Sequence, residues 1–135
     1  MSSRKAFKLA EKAGVQQRQI LGELEALTKS IERGERMIAE LKAEIDVVNL
    51  KHVNRKTTRE DVAYLEDVLR CAKSKLAWED KMASLGKRIP AVLARVTAVM
   101  SDEINPPSEA IRDSVVKSLS AVQSAMERLQ KAKGE

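Results

Sequence analysis

Aromatic residues are almost absent from this 135-residue chain: Phe7, Tyr64 and Trp78 make up 2% of it. Any core must therefore be aliphatic, built from Leu, Ile, Val, Ala and Met, and that composition argues against sandwiches and barrels. Five glycines and three prolines are too few to punctuate many strands, while the strong helix formers Ala, Leu, Glu, Lys, Gln and Arg dominate. The expected class is all-α, and the length suits one elongated helical unit over residues 1–135.

Other scarcities remove whole chemistries. Cys71 has no second cysteine to pair with, and with His52 as the one histidine no structural zinc site can form from this chain. No Glu-x-x-His pair, glycine-rich phosphate loop or Gly-x-Ser-x-Gly elbow occurs, so no catalytic, metal or cofactor site is expected. No run approaches the ~20 apolar residues of a membrane span, and none follows Met1-Ser2-Ser3-Arg4-Lys5. The chain reads as soluble and intracellular, in cytoplasm or nucleus.

What is present is helical periodicity. Ile20, Leu24, Leu27, Ile31, Gly34, Ile38, Leu41, Ile45 and Val48 recur with alternating steps of four and three, which predicts a first helix over about residues 3–53. Thr57 with Glu60 fits a capping box and puts a turn at 54–57. The second helix opens with Val62, Leu65, Leu69, Ala72 and Leu76, then resumes one residue out of phase as Trp78, Met82, Leu85, Ile89, Val92, Val96 and Val99. Gly86 and Pro90 lie inside it, and because the seam holds its phase across the proline the reading is one kinked helix over 58–104, with two helices as the alternative. Asn105-Pro106-Pro107 forces a turn at 105–107, and a third helix over 108–132 carries Ile111, Val115, Leu119, Val122, Met126 and Leu129 on one face.

Two long helices joined by a short turn should fold back antiparallel, so facing residues should have numbers of constant sum. Ile20 with Val92, Leu24 with Ile89, Leu27 with Leu85, Ile31 with Met82, Leu41 with Cys71 and Val48 with Leu65 all sum to 112 or 113. Gly34, the weak point of the first seam, then faces Trp78, the largest side chain in the protein. The rival fold, a parallel homodimer of the first helix, would set Gly34 against its own copy and leave a cavity. An antiparallel hairpin with a third helix along one half, three-helix-bundle-like, is preferred, and a dimer of hairpins is compatible with it.

That arrangement leaves the region around 35–80 two-helical. Met37, Val47, Leu50 and Val53 on the first helix, with Tyr64 and Val68 on the second, lie off or beside the seam there and are candidates for contact with a partner helix. Cys71 is expected in the seam as a small hydrophobe, and His52 exposed beside the turn.

Charge is unevenly spread. Residues 1–18 carry Arg4, Lys5, Lys8, Lys12 and Arg18 for a net +4, residues 19–50 are −3, and residues 51–59 carry Lys51, Arg55, Lys56 and Arg59 for a net +4, within an overall +5. The second basic group complements the C-terminal end of the first helix, whereas the first opposes the helix dipole and suits an acidic surface, anionic lipid or nucleic-acid backbone. Without neighbouring aromatics to stack bases, sequence-specific nucleic-acid reading is not expected. The sequence therefore points to a non-catalytic helical subunit or adaptor mediating protein–protein interactions with other helical subunits in a larger intracellular assembly, of cytoskeletal, trafficking or chromosome-associated type. The alternative is an electrostatic binding module for an acidic polymer or anionic membrane through the basic N-terminus and the 51–59 turn.

Overall fold

A computed structural model describes residues Ser2–Gly134. Three helices make up the fold: α1 spans Ser3–Lys51, α2 Thr58–Met100 and α3 Glu109–Gly134. At 1.5 Å per residue they are about 74, 65 and 39 Å long. α1 is the central element, packing along both α2 and α3, and the three form an antiparallel hairpin with a third helix on one half. The accessible surface is 9520 Å². A compact monomer of this mass would expose only about 7,000 Å², so the excess measures how elongated the molecule is.

Helix ends follow local chemistry. The Ser2 hydroxyl accepts the Lys5 amide at 3.2 Å and caps α1. Thr57 accepts the Glu60 amide at 3.2 Å while its hydroxyl donates to the Glu60 carboxylate at 2.9 Å, so the expected cap forms, with the carboxylate meeting the hydroxyl. α2 runs unbroken through Pro90 as a single helix. It stops at Met100, short of the expected 104, because the Asp102 carboxylate accepts the amides of Ile104 and Asn105, both at 3.0 Å, and folds the chain into a turn. Ser108 accepts the Ile111 amide at 3.2 Å and starts α3.

The core has two parts. Around the α3 half, Ile20, Leu24, Leu27 and Ile31 of α1 pack with Leu85, Val92 and Val96 of α2 and with Val115, Val122 and Ala125 of α3. Toward the turn, Ile38, Leu41, Val48, Cys71 and Trp78 form a second cluster, with Leu129 and Ala132 of α3 against its lower edge. α3 ends there: Ala132 accepts a hydrogen bond from the Lys42 ammonium, and the Lys133 ammonium lies 6.0 Å from the Trp78 ring centre.

The second helix uses a different face from the one its opening residues suggested. Tyr64, Cys71, Trp78, Leu85, Val92 and Val99 recur every seven residues as one line of buried or partly buried positions along the whole of α2. Val62, Leu65, Leu69 and Leu76 are exposed instead, so Val48 does not face Leu65. No change of phase is needed near Trp78, because the stretch from Val62 to Leu76 is a second apolar stripe on another side of the same helix. Met126, expected on the buried face of α3, is 41% exposed in a shallow apolar groove beside Leu93.

Candidate docking surface

Beyond the end of α3 the molecule is a bare two-helix hairpin, and its tip is closed by polar groups. His52, expected at the surface, is buried, as is Asp67, and the His52 Nε2 and Asp67 Oδ2 atoms are 2.7 Å apart. Arg70 donates to the other Asp67 oxygen at 2.7 Å, and the Lys51 ammonium lies 3.5 Å from Asp67. The hydrogen bond with His52, then that from Arg70 and the charges of Lys51 and Arg70, hold the Asp67 carboxyl down to about 2, against the opposing effect of burial. Tyr64 stands edge-on to His52 with ring centres 5.4 Å apart, and the Arg55 guanidinium lies over the Tyr64 ring, 3.8 Å from its centre, while donating to the His52 carbonyl at 2.8 Å. His52, Asp67, Arg70, Lys51 and Arg55 are engaged with one another here, which makes the cap a structural lock for the turn.

Beside the cap lies an open groove between α1 and α2 of about 260 Å³, walled by Ile45, Val48 and Asn49 on one side and by Tyr64, Val68, Cys71, Ala72 and Lys75 on the other. Its position follows from the packing lower down. Leu24, Ile31 and Ile38 of α1 form a line at seven-residue spacing, and Ile45 is the next member, 37% exposed where the others are buried. On α2 the line of Met82, Ile89 and Val96 likewise continues upward as Lys75 and Val68. The groove is the extension of the valley that α3 fills, left open where α3 ends. Burial pushes the Cys71 thiol pKa up, with Glu44 adding to it.

The residues singled out in the sequence separate into groups. Met37 and Tyr64 are partly buried against the distal cluster, and Val68 walls the groove. Val47 and Leu50 are exposed on α1, rotated by about 160° and 140° from Ile45 at 100° per residue, so they face away from the groove. Val53 is exposed at the turn. Among the basic residues, Lys51 is bound to Asp67, and Arg55 pairs with Asp61 at 3.1 Å besides covering Tyr64. Lys56 and Arg59 are exposed and form no ion pair among the described residues. Arg4, Lys5, Lys8 and Lys12 are exposed on a stretch of α1 where nothing is buried before Ala13, and Arg18 is exposed just beyond it. Neither the groove nor the polar cap was foreseen. Placing Tyr64 and Cys71 on one seven-residue line with Trp78 would have located the groove.

No family model matches this chain, and neither a curated protein nor a solved structure matches it. No helix among the described residues is long and apolar enough to cross a membrane.

Proposed function

We propose that this protein is a non-catalytic helical subunit or adaptor that joins a larger intracellular assembly by docking partner helices against its distal two-helix end. One observation carries the reading. Beyond the end of α3, Ile45, Val47, Leu50 and Val53 on or beside α1, and Val62, Leu65, Val68, Leu69 and Leu76 on α2, are all exposed. Apolar surface of this density on a two-helix segment is the usual mark of a helix-on-helix contact, since the hairpin alone cannot keep it from water. The groove continuing the α3 valley offers the same ridges that α3 already uses. The test compares proteins retained by the wild-type chain with those retained by a Val47→Glu/Leu50→Glu/Val68→Glu variant whose helicity is intact. Partners lost only with the variant support the reading, and identical sets overturn it.

A second reading has its own observation. Arg4, Lys5, Lys8 and Lys12 stand on a length of α1 that projects past the packed core, and no carboxylate among the described residues pairs with them. That end can meet an acidic polymer or an anionic membrane through charge alone. Affinity for anionic vesicles or nucleic acid that falls with salt and is abolished by Lys5→Glu/Lys8→Glu/Lys12→Glu supports it. Absence of binding at low salt removes it.

A further inference from the structure

The outward stripe of α2 is a short apolar seam with nothing on it. Val62, Leu65, Leu69, Ala72 and Leu76 recur with alternating steps of three and four, and Leu65, Leu69 and Leu76 are 61%, 56% and 60% exposed. Along one edge of the stripe, at seven-residue spacing, run Arg59, Glu66, Lys73 and Asp80, alternating in sign. All four are exposed, and none joins an ion pair among the described residues.

We propose that this stripe pairs antiparallel with the same stripe of a second copy of the chain, about a two-fold axis level with Leu69 and Ala72. The inference rests on the reading of the distal end as a helix-docking surface and names one occupant. Such an interface is self-complementary, so each contact made once is made twice. Leu65 packs on the partner's Leu76, and Leu69 on the partner's Ala72. In that register Glu66 lies beside the partner's Lys73, and Arg59 beside the partner's Asp80, so all four edge pairs are of opposite charge.

The alternation also selects the register. A slide of one heptad in one direction sets Glu66 against the partner's Glu66 and Arg59 against the partner's Lys73. A slide the other way sets Lys73 against the partner's Lys73 and Glu66 against the partner's Asp80. A parallel alignment places Asp61 beside the partner's Glu66 and Lys75 beside the partner's Asp80, so its repulsive and attractive pairs cancel where the antiparallel register has only attractive ones along this edge. Both one-heptad displacements are repulsive along this edge, the way coiled-coil flanks choose partner and orientation, and a two-heptad slide restores opposite charges only by giving up the contacts of Leu65 with Leu76 and of Leu69 with Ala72. α3 leaves the site free, because it ends at the level of Trp78 and packs along α1.

Sedimentation equilibrium and light scattering test the pairing, with circular dichroism confirming that each variant stays helical. The wild-type chain is expected to dimerise. Glu66→Lys and Lys73→Glu should each weaken self-association by about tenfold or more, because each turns two attractive pairs into repulsive ones. An equimolar mixture of the two variants should form a heterodimer, since every edge pair is then opposite in sign, and the Glu66→Lys/Lys73→Glu double variant should recover the wild-type affinity. A wild-type chain that stays monomeric at several hundred micromolar overturns the proposal, as do folded single variants that dimerise as tightly as wild type. Either result leaves the wider docking reading to be judged by the Val47, Leu50 and Val68 variant.

Discussion

The indole Nε1–H of Trp78 donates to the main-chain carbonyl of Gly34 at 2.9 Å, and this contact is where all three helices meet. A Cβ added at Gly34 would come 2.5 Å from Met82 Cε, 3.4 Å from its Sδ and 3.9 Å from Leu129 Cδ1. Glycine in mid-helix costs about 1 kcal/mol relative to alanine. Here it lets α2 bring a tryptophan to the α1 backbone and α3 close over the same point, so the largest side chain of the protein is buried with its one polar atom satisfied.

Substitution at this position should therefore depend on size. In Gly34→Ala the new methyl displaces the flexible end of Met82, and the gain in helix propensity offsets that, so stability should stay within about 1 kcal/mol of wild type. Gly34→Leu overfills the junction and should lose about 2–3 kcal/mol, with Trp78 emission shifted to the red as the indole is pushed toward water. Urea unfolding followed by tryptophan fluorescence reads both quantities, and an unchanged spectrum in the leucine variant would contradict this packing.

The junction was legible from numbering alone, because the unbroken seam from Ile20 to Val48 fixes one face of α1 over that length. α2 offered two apolar stripes, and counting hydrophobic residues ranks them in the wrong order: Val62, Leu65, Leu69, Ala72 and Leu76 outscore Tyr64, Asp67 and Cys71. The buried stripe wins because its polar members are neutralised across the hairpin. Asp67 finds His52, Arg70 and Lys51, which lie fifteen residues away, three residues on and next to the turn, and so a charged residue sits in the core without an unpaired charge. Periodicity reads single residues and has no access to such pairings. The end of α3 was placed within two residues of where it falls, yet its consequence, an open valley above Trp78, needs the three-dimensional register to be seen.

The two stripes of α2 make opposite predictions for truncation. Leu27→Ala removes a side chain of zero exposure at the centre of the α3-half core and should cost about 2–5 kcal/mol. Leu69→Ala, at a concentration where the chain is monomeric, should change stability by no more than about 0.5 kcal/mol, since more than half of that side chain is already in water. A large loss at Leu69 in the monomer would return it to the intramolecular seam.

Asp67 links the turn to acid stability. Its carboxyl is lowered from 3.8 to about 2, so the native state binds the proton more weakly than the unfolded chain does. The stability it contributes is complete above the unfolded value and drains away as pH falls from about 4 toward 2. In Asp67→Asn the pairing with Lys51 and Arg70 is lost at every pH, so the variant should be less stable at neutral pH and its urea midpoint should fall less steeply than that of wild type between pH 4 and 2. Parallel curves for the two proteins would mean that the bond between His52 and Asp67 does not hold the tip of the hairpin.

The N-terminal stretch of α1 should be separable from the fold. From Ser2 to Lys12 every residue is exposed, and the first buried side chain is Ala13. Arg4 and Lys5 stand in the first turn, where the dipole disfavours cations, and no acidic residue offsets them. Deleting residues 1–11 should leave the melting temperature within a few degrees of wild type, equivalent to about 0.5 kcal/mol, and leave the Trp78 spectrum unchanged. Any salt-sensitive affinity for anionic vesicles should fall sharply with the same deletion, while self-association through the distal stripe of α2 persists. A deletion that unfolds the bundle would show that α1 is held together from its first turn, and Arg4, Lys5 and Lys8 would then be part of the scaffold and not a free basic surface.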